Sequence, residues 1–235
     1  MRILSYILSI SLLSLLPLTG YAQQNTDEQK KEYNPWSFNG IGIQTDIFGY
    51  AYSMLEDYTS GEVAIEANIG NRFYPIVEAG LGGCNVTDET TSIKYKTNAP
   101  YFKVGLNYNF FTSKEKPAPQ HYIFGLIRYA WTDFEYDIDS PPITDPIWGN
   151  DVPLVLNDVE GSCSWAEIGA GIKVKIAKGF HMGWSIRYRV RIMQEQGNNS
   201  SMWYIPGYGI NKSTCFGGTY NLIYEIPFKK GKGER

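Results

Sequence analysis

The feature that most constrains this chain is an alternation of apolar and polar residues with a period of two, repeated in eight segments. Successive side chains of a β-strand point to opposite faces, whereas a helix would place its apolar residues three and four apart. The clearest segment, 180–192, has Phe, Met, Trp, Ile, Tyr, Val and Ile at its even positions and three arginines among its odd positions. The pattern predicts an all-β protein. The segments are 40–47, 62–69, 77–82, 102–110, 121–132, 166–176, 180–192 and 219–228.

The connections between these segments alternate between long and short. The shortest is the three-residue turn 177–179. Such a rhythm is typical of an antiparallel up-and-down barrel whose two rims differ, with both chain termini at the short-turn rim. We therefore expect eight strands with long surface loops at 51–60, 84–99, 133–161 and 193–215.

The chemistry of the two strand faces indicates which one points outward. The polar face is rich in Gly and Asn and carries charges of both signs, as a narrow, crowded lumen would require. The apolar face has Ile and Val in mid-segment and aromatic residues near the segment ends, as in the aromatic girdles of a membrane barrel. These faces favour an eight-stranded antiparallel up-and-down transmembrane β-barrel. A soluble lipocalin-like barrel is the alternative. The mixed charge, with a net value of −3, does not support nucleic-acid binding.

The closing segment, 217–228, ends on the aromatic residue Phe228. With the loop rhythm, it resembles the last strand of the small eight-stranded outer-membrane β-barrel proteins of didermal bacteria. The resemblance covers 37–228. It implies lipids, lipopolysaccharide and the assembly machinery that reads a terminal aromatic as partners. The basic residues 229–235 after Phe228 depart from that pattern. Functions on this architecture range from adhesion to lipid-modifying enzymes.

The N-terminus has the composition of a secretory signal peptide. Arg2 precedes an apolar run over 3–16, and 20–22 has the small-x-small pattern that a signal peptidase cuts. We expect cleavage after Ala22. A retained anchor would need a longer apolar run. The predicted organisation is a signal peptide at 1–22, a flexible periplasmic lead-in at 23–36, a barrel at 37–228 and a basic periplasmic tail at 229–235. The predicted location is the bacterial outer membrane.

Charged residues on the polar face predict a network inside the lumen. If 177–179 is a three-residue hairpin loop, Arg189 lies directly opposite Glu167. Buried ions without partners cost several kcal/mol each, so we expect pairing and a closed lumen. A gated ion path is the alternative. The expected members are Glu66, Glu78, Arg128, Glu167, Arg187, Arg189, Arg191 and Glu225.

The longest connection is the best candidate for a recognition site. Residues 133–160 contain eight acidic residues and no Lys or Arg, together with several apolar residues. An exposed apolar loop suggests a partner surface, although a loop packed on its own barrel explains it equally well. Divalent cations are a further option, but the spacing is not that of an EF-hand. The candidate residues are Asp137, Asp139, Asp145, Trp148 and Asp151.

Cysteine and histidine positions limit the chemistry that we expect. Cys84, Cys163 and Cys215 flank long loops, and two of them could pair in an oxidising compartment, although the sequence does not choose which. The two histidines, His121 and His181, follow short turns, away from the rim where external substrates arrive. We expect no metal site, no cofactor and no catalytic residue.

These features together predict a non-enzymatic outer-membrane protein with a charge-filled lumen. Its long loops would bind an extracellular ligand or partner protein, which the sequence does not identify. Two alternatives stay open from the residues alone. One is a narrow channel for ions or small solutes, and the other is a lipid-modifying or proteolytic enzyme of the outer membrane.

Overall fold

The computed structural model describes residues 36–54, 57–111, 121–144, 149, 151–197 and 201–228. The expected signal peptide, the lead-in up to residue 35 and the basic tail lie outside the described residues. The described residues fall within one compact unit. No helix in this part of the chain has the length and apolar character needed to cross a bilayer.

Eight long strands form one closed antiparallel barrel, in which each strand pairs with its neighbours in sequence and the first pairs with the last. The predicted fold class, an all-β eight-stranded up-and-down barrel, is confirmed. A separate two-stranded sheet pairs β8 with β9. The strands are β1 (Phe38–Asp46), β2 (Tyr58–Ile69), β3 (Phe73–Thr87), β4 (Lys94–Asn109), β5 (His121–Thr144), β6 (Asp151–Ala177), β7 (Phe180–Gln196), β8 (Tyr204–Ile205), β9 (Gly209–Ile210) and β10 (Thr214–Pro227).

The connection between β1 and β2 begins with a short helix, α1 (Ile47–Ser53), where the sequence predicted only a loop from residue 51. Asp46 caps this helix, since the Asp46 carboxylate accepts hydrogen bonds from the backbone N–H groups of Phe48 (3.1 Å) and Gly49 (3.2 Å). The same carboxylate accepts from the N–H of Tyr220 at 3.0 Å. Asp46 therefore anchors α1 to the closing strand β10.

The outward face of the barrel carries an apolar belt. On β5 the outward residues from Ile123 to Trp131 are apolar or glycine, and the next one is Asp133. A strand stretch of this length, tilted as in small barrels, spans roughly 20 Å, close to the height of a bilayer's hydrocarbon core in such proteins. Other exposed belt residues are Val63, Ile65, Val77, Leu81, Phe102, Val104, Ile168, Ile172, Trp184, Ile186, Tyr224 and Ile226.

The longest predicted loop, 133–161, is instead a strand-paired hairpin. β5 and β6 run for 24 and 27 residues and remain paired out to Thr144 and Asp151. Phe134, Tyr136 and Ile138 continue the period of two and are buried. The prediction of a loop was wrong because the acidic residues between them concealed this alternation.

The other two long connections are also shorter than predicted. β3 and β4 extend to Thr87 and Lys94, which leaves only the turn 88–93. Asp88 organises this turn, and hydrogen bonds donated by Thr91 hold the pKa of its carboxyl below the usual value. After β7, residues 201–213 contain β8 and β9 and form a segment that we call the plug.

Candidate functional site

The plug fills the barrel at its long-connection end. The side chains of Met202, Ile205 and Tyr208 are only 2%, 0% and 0% exposed, although they belong to a connection between strands. They pack against side chains that point inward from the barrel wall. This end of the barrel is therefore closed by an apolar cluster. Its wall residues are Cys84, Tyr95, Ala99, Tyr101, Ala130, Phe134, Tyr136, Ile138, Cys163 and Trp165.

Hydrogen bonds from the wall hold the backbone of the plug. Arg189 Nη1 donates to the carbonyl of Tyr208 at 2.8 Å, and the hydroxyl of Tyr95 donates to the carbonyl of Tyr204 at 3.0 Å. Burial, with Cys215 nearby, raises the pKa of Tyr208 to about 12. Gly207 has a φ of +76°, and a Cβ there would lie 2.4 Å from Cγ of Tyr101, so only glycine fits.

Below the plug, buried charges form a first ion-pair network centred on Glu78. Its carboxylate lies 2.8 Å from Arg128 Nε, 3.0 Å from Arg187 Nη1 and 3.8 Å from Lys103 Nζ. Glu167 lies 3.2 Å from Arg187 and 3.1 Å from Arg189. Since Arg189 also binds the plug, this network is directly linked to the closure above it.

A second network lies toward the short-turn end and is centred on Lys173. Its ammonium group is 2.5 Å from Glu66 Oε1 and 2.5 Å from Glu225 Oε1. The same nitrogen lies 5.4 Å from the ring centroid of Tyr74 and 5.9 Å from that of Tyr122, within cation–π distance. A carboxylate pair thus balances the cation while the aromatic rings exclude water from it.

The two networks together leave little free space inside the barrel. A cavity of about 10 Å³ lies between them, with Glu66, Arg128, Lys173 and Arg187 in its lining. That volume holds about one water molecule. Paired charges therefore fill the described interior. The ion-paired carboxylates are Glu62, Glu66, Glu78, Glu167 and Glu225, and their Lys and Arg partners are Lys103, Arg128, Lys173, Arg187 and Arg189.

Of the eight residues expected in the lumen network, the structure places Arg191 elsewhere. Its guanidinium donates to the side-chain oxygen of Asn211 in the plug. Sequence reasoning omitted Glu62, Lys103 and Lys173, although all three occupy inward positions of the alternation. Counting every charge on the inward face would have found them. The expected residues that the structure brings into the two networks are Glu66, Glu78, Arg128, Glu167, Arg187, Arg189 and Glu225.

The histidines occupy two different settings at the short-turn end. His121 is exposed at the start of β5. His181 is buried, with Nε2 at 3.7 Å from Glu225 Oε2. Within the described ranges, no group of three or more His, Cys, Asp or Glu side chains is arranged to hold a metal ion.

All three cysteines are free thiols, so the disulfide that the sequence suggested is absent from the structure. Cys84, Cys163 and Cys215 lie on β3, β6 and β10, and no two of these strands are neighbours in the barrel. Cys84 and Cys163 are buried in the wall of the plug cluster, and Cys215 packs against it. The thiols are therefore spread around the plug.

The candidate recognition residues that the structure describes, Asp137, Asp139 and Asp151, lie on the paired strands β5 and β6. Asp137 accepts a hydrogen bond from the backbone N–H of Asp158 at 3.0 Å. Asp139 is exposed opposite Val155, and Asp151 pairs with Thr144 through the strand ladder. Asp145 and Trp148 lie outside the described residues. The three described residues are therefore spread along the two strands.

A different concavity, which we call the side cleft, lies beside the plug at the upper ends of β4, β5, β6 and β7. It has a volume of about 610 Å³. The ladder between β4 and β5 is interrupted there, between the pairs Thr97–Tyr136 and Phe102–Trp131. Across the interruption, the hydroxyl of Thr97 donates to the carbonyl of Glu135 (2.7 Å) and that of Thr132 to the carbonyl of Pro100 (2.8 Å).

Two exposed carboxylates at the side cleft oppose each other. Glu135 and Glu160 are cross-strand partners, and like charges in that position destabilise a strand pair. We expect Glu135→Gln to stabilise the hairpin by up to about 1 kcal/mol, measured by urea unfolding at low salt. High salt should remove this gain. Glu195→Gln is the control because Glu195 faces Ser162, and an equal gain there would contradict the assignment.

An eight-stranded meander that is apolar outside, filled with paired charges and closed by an inserted segment defines a plugged up-and-down β-barrel. The chain belongs to the family described as a domain of unknown function (DUF6048), whose model matches residues 3–231. No curated protein matches its sequence. A crystal structure of Ail, the attachment invasion locus protein of Yersinia pestis, in complex with the heparin analogue sucrose octasulfate, is similar at a TM-score of 0.38. It is 10% identical over 80% of this chain and 97% of that chain.

Proposed function

We propose that this protein resides in the bacterial outer membrane as a closed barrel and binds ligands at its outer surface. The observation that carries the proposal is the apolar belt, because large Ile, Val, Leu and aromatic side chains are exposed around the barrel. Soluble monomers rarely expose apolar patches larger than a few hundred Å². The closed strand ladder supports the same conclusion, since unpaired backbone groups are too costly in hydrocarbon.

The two ends of the barrel suggest its orientation. In bacterial barrels, the short turns face the periplasm and the longer connections face the exterior. The β5–β6 hairpin and the end of the barrel that holds the plug would then lie on the exterior side of the membrane. The signal peptide would be cleaved near Ala22. Outer-membrane lipids, lipopolysaccharide and the assembly machinery would be the partners of the barrel itself.

We assign the buried charges a structural role, with neither conduction nor catalysis. The cavity of about 10 Å³ is too small for a continuous water path. The buried histidine, His181, lies at the short-turn end, away from the surface where external substrates would arrive. The hairpin and the side cleft are therefore the parts of the molecule best placed to meet a ligand.

A matched pair of arginine substitutions tests the membrane location. Ile127 lies at the middle of the belt on β5 and is 58% exposed, whereas Val155 on the β5–β6 hairpin beyond the belt is 49% exposed. In a bilayer, Ile127→Arg should cost about 2–4 kcal/mol, because arginine is unfavourable at the membrane midplane. Val155→Arg should change stability by less than about 0.5 kcal/mol. The measurement is urea unfolding in lipid vesicles.

Experiments in cells should also locate the protein in the outer membrane. The wild-type protein should fractionate with outer membranes and migrate differently on gels before and after heating. Protease added to intact cells should cut only the long connections. A detergent-free, soluble monomer in which Ile127→Arg is as well tolerated as Val155→Arg would overturn the proposal.

A further inference from the structure

We propose that the short-turn end of the barrel binds a phospholipid, with the lipid phosphate held by the guanidinium of Arg72 and the acyl chains lying along the belt. The inference names a lipid site for the membrane location proposed above, and it rests on that proposal. Three observations carry it: a cation without a carboxylate partner, its fixed position on the outward face, and an apolar surface that begins beside it on the same face.

Arg72 is a half-buried cation in the turn 70–72 between β2 and β3. Its Nε donates a hydrogen bond to the hydroxyl of Tyr108 at 2.8 Å, and its Nη2 donates to the same oxygen. Arg72 belongs to none of the ion pairs formed within the part of the chain that the structure describes. Its Nη1 therefore remains available to a ligand. Phosphate is an anion whose oxygens match the planar fork of a guanidinium.

The protein holds the Arg72 guanidinium against the outward face of the barrel. Phe73 and Tyr108 are cross-strand partners on β3 and β4, and their rings point outward because the next residues inward in the alternation, Tyr74 and Asn107, are buried. The guanidinium carbon lies 5.1 Å from the ring centroid of Tyr108 and 5.9 Å from that of Phe73, within cation–π distance. Arg72 is thus ordered before a ligand arrives, which lowers the entropic cost of binding.

The outward residues of β3 and β4 form an apolar stripe that begins beside Arg72. Val77 and Val104 in this stripe are 58% and 40% exposed. An acyl chain attached to a phosphate at Arg72 would lie along the stripe and cover these side chains. From the short-turn end, the cross-strand pairs of the stripe are Phe73–Tyr108, Pro75–Leu106 and Val77–Val104.

Arg72 lies at the level expected for phospholipid head groups. The outward residues of β3 from Phe73 to Leu81 are all apolar. This stretch of strand, tilted as in small barrels, spans roughly 20 Å, so Arg72 is at the boundary of the hydrocarbon core. Trp36 stacks on Phe73 with ring centroids 6.0 Å apart, and tryptophan is enriched at membrane interfaces. At the short-turn end, this boundary faces the inner leaflet of the outer membrane.

A lipid phosphate fits this arrangement better than a free anion does. A free phosphate would contact the guanidinium and leave the apolar stripe unused, whereas a phospholipid would use both. The described residues of the short connections, 70–72, 110–111 and 178–179, include no Asp or Glu that would repel an anionic head group. The charge of this end of the barrel is therefore complementary to that of an anionic phospholipid.

The test uses the full chain in a non-ionic detergent, with dioctanoyl phosphatidylglycerol as the probe. Native mass spectrometry gives the apparent affinity from the fraction of the barrel that retains one lipid. We expect saturable binding at least about fivefold tighter than that of dioctanoylglycerol, which has the same acyl chains and no phosphate. Inorganic phosphate at the same concentration should not displace the lipid.

Three variants assign the binding to Arg72. Arg72→Gln should lower the affinity for phosphatidylglycerol at least about fivefold, because the charged fork is lost. Arg72→Lys keeps the charge without the fork, so its affinity should be intermediate. The matched control is Lys178→Gln, which removes an exposed positive charge from the turn after β6 and should stay within about twofold of wild type. Heat-dependent gel mobility shows whether each variant forms a closed barrel.

Three outcomes would overturn the proposal. Equal losses of affinity in Arg72→Gln and Lys178→Gln would reduce the effect to general charge attraction. Equal binding of dioctanoylglycerol would indicate contacts with the acyl chains alone. Displacement of the lipid by inorganic phosphate would indicate a site for free anions.

The lipid site and the membrane location can fail independently. A barrel that tolerates Ile127→Arg much less well than Val155→Arg, but binds the lipid equally well without Arg72, would disprove the lipid site alone. Binding that depends on Arg72 in a protein that tolerates Ile127→Arg as well as Val155→Arg would disprove the membrane location alone.

Discussion

Replacing Glu78 with leucine is expected to destabilise the barrel by about 3–5 kcal/mol, because it leaves buried cations without their shared partner. Glu78 is 1% exposed and lies within 3.0 Å of both Arg128 Nε and Arg187 Nη1. Lys103 is also within 3.8 Å of it. Urea unfolding in vesicles, followed by tryptophan fluorescence and gel mobility, measures the loss.

Two companion variants identify the cause of this loss. Glu89→Leu makes the same change at an exposed position in the turn after β3, and it should have almost no effect. Glu78→Leu/Arg128→Leu removes both members of the closest pair and should recover a large part of the stability, since apolar replacement of a whole buried pair is often neutral. A double variant as unstable as Glu78→Leu would show that side-chain volume, not charge, controls the effect.

Releasing the plug is the second large effect that we expect. Ile205→Asp would place a carboxylate at a position with 0% exposure in the apolar cluster, at a cost of several kcal/mol. The plug should leave the barrel while the strand ladder stays closed. Cys84 and Cys163, which lie in the barrel wall around the plug, should then react with a maleimide at least about tenfold faster. A Cys215→Ser background restricts labelling to these two thiols.

The same substitution on the other side of the plug provides the control. Ile210 lies on β9 and is 57% exposed, so Ile210→Asp should leave the labelling rate within twofold of wild type. Fast labelling of the wild-type protein would instead mean that the plug is open under these conditions. Slow labelling of Ile205→Asp would mean that contacts other than this side chain hold the plug in place.

The strand register at a tight turn could be derived from the sequence. A three-residue turn at 177–179 predicts that Glu167 and Arg189 are cross-strand neighbours, and the structure pairs them. The turn itself differs from the prediction: it consists of residues 178–179, with Ala177 opposite Phe180 and a register shift between Lys175 and Ala177 that restores the predicted register. The register of a short hairpin depends on a few local residues, so no distant contact is needed to define it. The face of each of the eight segments that points into the barrel can also be derived from the sequence, since it depends only on the alternation with a period of two.

The lengths of the strands were harder to derive. The residues of β5 beyond Trp131 alternate as regularly as those before it, but the outward positions change from apolar to acidic. An outward position within the apolar belt and an outward position in water need opposite chemistry on the same strand. The change at Asp133 therefore marks the edge of the belt, although the sequence pattern alone predicts that the strand ends there.

The partners within the lumen depend on the closed barrel. Three cationic side chains occupy inward positions but have different partners. Lys103 forms an ion pair with Glu62 and Lys173 one with Glu66, whereas Arg191 donates a hydrogen bond to Asn211 in the plug. Which charged side chains pair across the lumen depends on the position of each residue along the barrel axis. This position follows from the tilt and stagger of the strands. A sequence pattern along one strand contains no information about that stagger.

The sequence by itself determined that the chain is all-β, that it has eight alternating strands and which face of each is apolar, because these are local properties of neighbouring residues. The tertiary structure decided that residues 201–213 enter the barrel, which charges pair and where the β4–β5 wall opens. These features depend on contacts between residues far apart in sequence, such as Arg189 with Tyr208 and Lys173 with Glu66. They exist only after the first strand has paired with the last.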